Sequence, residues 1–301
     1  MASRRIESSA SQTADITCGC RAISYLESNP LYRSDDWVAP KLLPRKLQIL
    51  IRIPFAGRLM ARLLGPRGLY EWVIARTRYI DDVFKQAGAQ GFSQVLRLGA
   101  GFDSRGIRFQ SELKDAQVFE LDAPTTQLMK REQDRKRGIL APANLTFAPI
   151  NFEKESIAEK LKEAGFKSGS KTLVLLEGVL QYLNPVAANA TLKTIQDQTG
   201  AGSWLVFDYA HASVLRGDKG QSEEAEMMKS LDRYGESWQF GLEEAQVEPF
   251  LCGYGFKLLD RQGPKELEEA CFKDKNGHLK ARVNGTQSIV KAERLSLDKQ
   301  M

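Results

Sequence analysis

Short apolar runs alternate with helix-like stretches along most of the chain from residue 92 onward. Seven of these runs are expected to form strands, at residues 94–98, 117–121, 145–150, 172–176, 204–208, 256–260 and 286–292. Helical periodicity separates them at residues 125–137, 156–164, 185–198 and 242–252, and Asn184-Pro185 gives the third of these helices a capping residue before a proline. This alternation predicts an α/β fold, with a seven-stranded, mostly parallel sheet that carries helices on both faces.

The first 90 residues show no strand pattern. They are expected to form helices at about 15–28, across 41–64 with breaks at Pro44 and Pro54, and at about 70–86. We interpret them as a helical cap (about residues 12–90) on an α/β core (about residues 91–301), within one domain spanning residues 1–301. A polar segment at about residues 211–240 follows the fifth predicted strand, where such folds place loops that cover a substrate.

The segment after the first predicted strand carries the most informative motif. Leu98 ends that strand, Gly99-Ala100-Gly101 forms a tight turn, and the next predicted strand ends in Asp122, 23 positions after Gly99. A nucleoside cofactor needs this arrangement, because glycines let the backbone approach the ligand and a carboxylate binds the ribose hydroxyls.

Two cofactor classes use this geometry. A nicotinamide or flavin site usually has a third glycine that packs its helix against the strand, but Ser104 stands three positions after Gly101. This favours S-adenosylmethionine, which has no pyrophosphate to bind. A NAD(P)-dependent oxidoreductase remains the alternative, as does a catalytically silent protein that binds the cofactor and serves as an interaction module.

Three motifs in order resemble the leucine carboxyl methyltransferase family. They are Gly-Ala-Gly-Phe-Asp-Ser-Arg at 99–105, Phe-Glu-Leu-Asp-Ala-Pro at 119–124 and Leu-Leu-Glu-Gly-Val-Leu-Gln-Tyr-Leu at 175–183. The resemblance extends from about Thr13 to the last predicted strand. It implies a Rossmann-like class I methyltransferase fold, whose seven strands match the predicted number, and S-adenosyl-L-methionine as the cofactor.

The candidate cofactor residues stand at the carboxyl ends of successive predicted strands, where ligands of open α/β sheets bind. They are Gly99, Ala100, Gly101, Asp122, Ala123, Asn151, Phe152, Glu177 and Gly178. Asp122 is expected to accept hydrogen bonds from the ribose hydroxyls, with a surface acid at a helix start as the alternative. The resemblance implies that Arg76, rather than Arg78, holds the carboxylate of the cofactor's methionine moiety, a task that suits a planar guanidinium.

Two of these residues carry open alternatives. Asn151 stands where the family commonly has an aspartate that binds the adenine amino group, and asparagine keeps an acceptor oxygen without the charge. Glu177 ends an apolar strand, so its carboxylate needs a partner. That partner is either the cationic groups of the cofactor or an arginine such as Arg105.

The candidate substrate contacts are Arg21, Tyr182 and Tyr209. Arg21 lies near the family's basic residue in the first helix, although Gly19 is an alternative match. Tyr182 and Tyr209 follow the fourth and fifth predicted strands, and each can equally be a packing or capping residue. No residue is assigned a catalytic role.

The composition is that of an ordinary soluble protein, with 42% hydrophobic and 27% charged residues. No apolar run reaches the ~18 residues of a membrane-spanning helix, and no secretory signal is expected at the N-terminus. The four cysteines lack the spacing of zinc ligands, so we expect no metal site. Nucleic-acid binding has no motif to support it, and the cytoplasm is the expected location.

The net charge of +5 is concentrated between Lys41 and Arg67, where seven basic residues stand without an acidic one. Leucines and isoleucines interleave with these charges at roughly helical spacing. Such an element can meet an anionic substrate, a partner or a membrane surface. The alternative is a helical lid whose charges point into water.

Our functional hypothesis is an S-adenosylmethionine-dependent O-methyltransferase that acts on a carboxylate, either of a small molecule or at a protein C-terminus. A carboxylate is ionised near neutral pH and needs no general base, which fits a chain with only two histidines. Rate enhancement would then come from positioning and desolvation. An alcohol or phenol acceptor would need a base, and the sequence offers no convincing one.

Overall fold

The structure, a computed structural model, describes residues 12–53, 56–152, 154–217 and 222–296. All seven expected strands form there, together with one strand of two residues. In chain order they are β1 (Gln94–Leu98), β2 (Gln117–Asp122), β3 (Leu145–Pro149), β4 (Thr172–Leu176), β5 (Trp204–His211), β6 (Gly241–Leu242), β7 (Phe256–Gln262) and β8 (Gln287–Arg294). The described strands build an eight-stranded sheet in the order β3-β2-β1-β4-β5-β8-β7, with β6 beside β5. The predicted α/β architecture is confirmed.

The sheet is parallel except at β8, which runs antiparallel to both β5 and β7. β1 lies between β2 and β4, and its residue Gln94 is in register with Gln117 on one side and Thr172 on the other. The strand order therefore reverses direction at β1. In such sheets a crevice opens beyond the carboxyl ends of the strands at the reversal point.

Helices form the predicted cap and cover the sheet. The cap contains α1 (Gln12–Leu26), α2 (Ala39–Leu42), α3 (Arg45–Leu50), α4 (Ala56–Leu64) and α5 (Leu69–Ala89). The core contains α6 (Arg105–Arg108), α7 (Pro124–Lys136), α8 (Ile157–Glu163), α9 (Pro185–Gln198), α10 (Ala212–Arg216), α11 (Ser222–Tyr234), α12 (Val247–Gly253) and α13 (Pro264–Phe272). Two 3-10 turns lie at Leu180–Tyr182 and Glu244–Gln246. The expected break at Pro54 lies outside the described residues. No helix in the described ranges combines the length and apolar character needed to cross a membrane.

Hydrophobic packing joins the cap to one face of the sheet. Because successive strand residues point to opposite faces, Val95 and Leu173 pack in the same cluster as Trp72 of α5. Leu96 and Val174 point to the opposite face, into the cluster that includes α9 and α12. Complete burial of a large apolar side chain contributes ~1.5–3 kcal/mol, so this packing holds the cap in place on the sheet.

Most expected boundaries differ from the structure by one to three residues, and two of the differences bear on the site. β5 continues to His211, three residues beyond its expected end, because its last part pairs with β8 up to Ala210. The expected helix at 242–252 is wrong at its start, since Leu242 belongs to β6 and α12 begins only at Val247. By contrast, α9 has the expected bounds, and the Asn184 side chain accepts a hydrogen bond from the backbone N–H of Ala187 at 2.9 Å.

Candidate functional site

The carboxyl ends of β1, β2 and β4 open into a cavity of about 360 Å³, a volume in the range of small-molecule sites. Cap helices α1 and α5 line one side of it. α11 and the segment 235–239 that follows line another, so the polar segment expected to cover a substrate does contribute to the cavity wall. Residues 218–221 of that segment lie outside the described residues.

The glycine turn after β1 forms the floor of the cavity. Gly99 and Gly101 have φ values of 66° and 50°, a left-handed conformation that favours glycine. A Cβ atom at Gly99 would lie 2.7 Å from Cγ2 of Val179, which leaves no room for a side chain. At Gly101 the nearest atom to such a Cβ is the Ala14 methyl carbon at 3.7 Å. The second glycine thus keeps space open where the backbone faces the cavity.

Asp122 ends β2 and lines the cavity beside this turn. One carboxylate oxygen accepts a hydrogen bond from the backbone N–H of Gly101, and the other accepts one from Ala123 at 2.6 Å. Burial raises the pKa of Asp122 above its usual range, and the two backbone N–H groups oppose that rise only in part. The turn after β1 and the acid at the end of β2 are therefore joined, as the spacing of Gly99 and Asp122 predicts.

A buried ion-pair network borders the cavity on the cap side of the sheet. It contains six cations and six carboxylates, namely Arg21, Arg76, Arg97, Arg105, Arg108 and Lys130 with Asp36, Asp81, Asp103, Glu120, Glu177 and Asp208. No side chain in it is more than 15% exposed. The charges balance, which is the condition under which burying them is tolerable.

Arg105 and Asp103, both from the motif after β1, stand at the centre of this network. Arg105 donates to Asp81 at 2.7 Å, to Asp103 at 2.8 Å and to Glu177 at 2.6 Å. Burial alone would raise the pKa of Asp103, but Arg105 and two further arginines outweigh it and hold that pKa well below its usual range. The network fixes the turn to the cap and to the end of β4.

Glu177 connects the network to the cavity. Its carboxylate pairs with Arg105 and also with Nε of Arg76 at 3.0 Å, yet its side chain is 15% exposed and lines the cavity. Burial would raise the pKa of Glu177, but the two guanidinium groups prevail and lower it. The carboxylate therefore stays ionised at the cavity wall, and the arginine that was one of its two expected partners is present.

Arg76 also lines the cavity, from the middle of α5. Besides Glu177 it binds Asp208 of β5, with Nη1 at 2.7 Å from the carboxylate. Arg78, the alternative to Arg76, instead donates to backbone carbonyls, among them that of Pro30 at 2.9 Å, and does not line the cavity. Of the two arginines, the structure brings Arg76 to the site.

The remaining cofactor candidates divide between the cavity and its surroundings. Ala100, Ala123, Phe152 and Gly178 line it, and Phe152 as a residue is 39% exposed. Asn151 is not among the lining residues, and its backbone N–H donates to Glu155 at 2.7 Å.

The substrate candidates have different surroundings. Arg21 lines the cavity, but its Nη1 pairs with Asp36 at 3.0 Å and its Nη2 donates to the Phe102 carbonyl at 2.9 Å. Tyr182 lines the cavity, and burial together with a nearby carboxylate raises its pKa, so the phenol stays protonated. Tyr209 does not line it. β5 continues past this residue, and the alternation of side chains directs Tyr209 to the face of the sheet opposite the cap.

Several lining residues were not predicted from the sequence. Glu236, after α11, accepts hydrogen bonds from both the backbone N–H and the hydroxyl of Thr13 in α1. Its carboxylate is also a hydrogen-bond partner of the Tyr182 hydroxyl. This contact connects the cap to the segment after α11, above the glycine turn. No sequence signal marked Glu236, because its role depends on two chain segments far from its own.

Apolar side chains are numerous in the part of the wall contributed by the cap, α11 and the segment that follows it. They are Ile16, Leu69, Trp72, Val73, Met227, Leu231 and Trp238. The glycine turn, Asp122 and Glu177 form the more polar part of the wall. The cavity lining thus combines charged and backbone groups with a larger set of hydrophobic side chains.

Known proteins resemble this chain in sequence and in fold. A family model described as leucine carboxyl methyltransferase matches residues 20–196. YktD of Bacillus subtilis strain 168, whose name describes a candidate S-adenosyl-L-methionine-dependent methyltransferase, is 28% identical over 90% of this chain and 94% of its own length. A protein of Parafrankia sp. strain EAN1pec with the same description is 30% identical over 70% of this chain and 66% of its own length.

Solved structures share the fold at low sequence identity. The crystal structure of a candidate methyltransferase from Thermobifida fusca YX superposes with a TM-score of 0.59 at 16% identity, over 92% of this chain and 94% of the other. An O-methyltransferase family protein from Burkholderia thailandensis gives a TM-score of 0.50 at 12% identity, over 88% of this chain and 74% of the other.

Proposed function

The chain belongs to the leucine carboxyl methyltransferase family of S-adenosylmethionine-dependent methyltransferases, and we propose that it methylates a carboxylate oxygen of its acceptor to form a methyl ester. S-adenosylmethionine is the cofactor. The nicotinamide-dependent and catalytically silent alternatives are set aside, because the relatives are methyltransferases by name.

The residues around the glycine turn fit this cofactor. We assign the ribose hydroxyls to Asp122, whose two oxygens each accept one backbone hydrogen bond and retain lone pairs for the diol. The space that Gly101 leaves open suits a closely bound ligand, and the partly exposed ring of Phe152 offers a surface for the adenine.

The amino-acid end of the cofactor carries a carboxylate and an ammonium group. We assign the carboxylate to Arg76, whose guanidinium is held in position by Glu177 and Asp208. We assign the ammonium group to Glu177, which is ionised and partly exposed to the cavity. Because each of these side chains already has a partner, their geometry is fixed before the cofactor binds.

The state of the acids at the cavity supports a carboxylate acceptor, and this observation carries the proposal. Among the described lining residues there is no histidine, and each acid already accepts hydrogen bonds or ion pairs: Asp103, Asp122, Glu177 and Glu236. Tyr182 stays protonated because burial raises its pKa. An alcohol would need one of these groups to take its proton, whereas a carboxylate is already ionised at neutral pH.

The bound cofactor supplies a methyl group on a sulfonium, and an acceptor oxygen forms the new C–O bond as the C–S bond breaks and the sulfur keeps the electron pair. The protein's part is to orient the two molecules and to exclude water. Trp72, Met227, Leu231 and Trp238 provide an apolar surface for the acceptor's hydrocarbon part. We therefore favour a small, largely apolar carboxylic acid over a protein C-terminus.

The acceptor class can be tested by methyl transfer from isotopically labelled S-adenosylmethionine. The acceptors are apolar carboxylic acids, the matching primary alcohols and phenols, and peptides with a free or an amidated C-terminus. We expect label in the small acids, as an ester that mild alkali cleaves. Label in an alcohol or phenol, as an ether that resists alkali, would refute the carboxylate assignment. If only the peptides with a free C-terminus were labelled, the proposal of a small carboxylic acid as the acceptor would be refuted.

The variant Glu236→Gln separates the two acceptor chemistries. It keeps the size of the side chain and one acceptor oxygen for Thr13, but it cannot take a proton. With a carboxylate acceptor we expect kcat to change little. If Glu236 were a general base, kcat would fall by about 100- to 10,000-fold.

A further inference from the structure

The cap presents an unusual concentration of exposed aliphatic side chains. Fifteen large hydrophobic residues of the described chain are exposed, and six of them belong to α3, α4 and the residues between them. These six are Leu47, Ile49, Leu50, Ile53, Leu59 and Leu63, with exposed fractions of 36% to 71%. None of the residues of α3 is buried. Together with the basic residues around them they form a surface that we call the basic cap surface.

The basic residues of this segment have two different roles. Arg58 pairs with Glu27, and Arg62 pairs with Glu71 at 3.0 Å, so these two anchor α4 to the rest of the cap. The other basic residues beside the aliphatic ones are exposed and have no acidic partner within the described chain: Lys41, Arg45, Lys46 and Arg52. Lys41 instead lies over the ring of Trp37, 4.4 Å from its centroid.

The charge of this surface determines what can cover it. No acidic residue occurs between Lys41 and Arg67, so two copies of the surface would repel each other in a symmetric dimer. Whatever binds to this surface must be anionic and must also accommodate the exposed aliphatic side chains. A partly exposed tryptophan next to a lysine, as in Trp37 and Lys41, is typical of residues at a membrane interface.

The residue types favour a lipid surface over an acidic protein. The centres of protein interfaces are enriched in aromatic residues and depleted of lysine, and leucine is rare among their energetically dominant residues. Amphipathic helices that combine apolar residues such as Leu with Lys and Arg are typical of segments that lie in the headgroup region of a bilayer, and their length is not what distinguishes them. Four exposed basic side chains provide the attraction to anionic lipids, and each is expected to raise the affinity about fivefold.

We propose that the basic cap surface docks on a bilayer that carries anionic lipids. Lys41, Arg45, Lys46 and Arg52 contact the headgroups, and the aliphatic side chains of α3 and α4 enter the interface. The docking places the outside of the cap, not the cavity, in contact with the lipid. It does not depend on which acceptor is methylated, and it can be tested without any acceptor.

The full chain is tested by co-sedimentation with vesicles of phosphatidylglycerol and phosphatidylcholine, and with vesicles of phosphatidylcholine alone. We expect binding to the anionic vesicles, weaker binding at high salt because exposed charges are screened, and little binding to the neutral ones. The double variant Lys46→Glu and Arg52→Glu should lose at least about 25-fold in affinity, from about fivefold per charge removed. The double variant Ile49→Ser and Leu63→Ser should lose most of the binding.

Two matched controls lie elsewhere on the chain. Leu140→Ser changes an aliphatic side chain that is 85% exposed, and Lys275→Glu reverses an exposed charge. Both should bind vesicles like the unmodified protein, and all variants should keep their affinity for S-adenosylhomocysteine. Absence of binding to anionic vesicles, or equal loss in the controls, would overturn the proposal. The proposal would also be overturned if the protein were a dimer, and if the double variant Ile49→Ser and Leu63→Ser dissociated that dimer without changing vesicle binding. The basic cap surface would then be the interface with a second copy of the chain.

Discussion

Replacing Asp122 tests the cofactor assignment most directly. In Asp122→Ala the ribose loses its carboxylate, and the N–H groups of Gly101 and Ala123 lose the oxygens that accept from them. In Asp122→Asn the shape is kept, but one oxygen becomes an N–H₂ donor and the charge disappears. Both changes act at the end of β2, where the neighbouring strands hold the backbone in place.

The expected loss follows from the kind of hydrogen bond involved. A hydrogen bond to a charged group contributes ~1.5–3 kcal/mol, so Asp122→Ala should weaken binding of S-adenosylhomocysteine by roughly 10- to 150-fold. The pH dependence gives a second signature. Burial raises the pKa of Asp122 in the free protein, and hydrogen bonds from the ribose favour the ionised form. Affinity should therefore fall as the pH falls through that raised pKa, and Asp122→Asn should remove this part of the pH dependence.

Isothermal titration with S-adenosylhomocysteine measures both effects, with NAD as the control ligand. Asp115→Asn, at an exposed acid shortly before β2, is the matched control and should bind like the unmodified protein. Thermal unfolding of each variant without ligand separates lost binding from lost folding. If Asp122→Ala bound with unchanged affinity while folded, the ribose assignment would be wrong, and NAD binding would contradict the cofactor assignment.

Three further predictions concern the glycine turn and the buried ion-pair network. Gly101→Val should weaken S-adenosylhomocysteine binding at least about tenfold, because its side chain enters the cavity. The control is Gly165→Val, at a glycine with φ of 85° and no atom near its Cβ position. Its backbone strain of ~1–2 kcal/mol should be similar to that of Gly101→Val, but binding should be unchanged. Arg105→Met should lower the free energy of unfolding in urea by about 3–5 kcal/mol, because it leaves buried carboxylates uncompensated; a loss below about 1 kcal/mol would mean that the network relaxes around the gap. The pKa values of Asp103 and Glu177 are lowered in the folded state. Their contribution to stability is therefore complete above pH ~5, where the unfolded carboxyls are ionised as well, and it is lost as the pH falls through the folded values. Urea unfolding between neutral and acidic pH checks the sign, and a protein that became more stable on acidification would contradict it.

The sequence by itself determined which segments form strands along the chain, the cofactor turn and the acid that accompanies it. These features are local: apolar runs of strand length, a Gly-x-Gly turn and a carboxylate at a strand end are each readable from adjacent residues. Parallel strands bring their carboxyl ends to one edge, so Gly101, Asp122 and Glu177 had to lie near each other. The cap helices were likewise predicted from periodicity alone.

Only the tertiary structure decided how these residues are used. The sequence leaves Tyr209 as either a substrate contact or a packing residue. β5 extends past Asp208 by pairing with β8, and alternation then places Asp208 against Arg76 and Tyr209 in the core on the opposite face. Strand length and register depend on partners far away in the chain, so a strand end is poorly determined by its own residues. The ion-pair network and the contact of Glu236 with Thr13 also depend on the tertiary structure. They join residues from distant segments, and the sequence around a charged residue does not specify which distant residue it will contact.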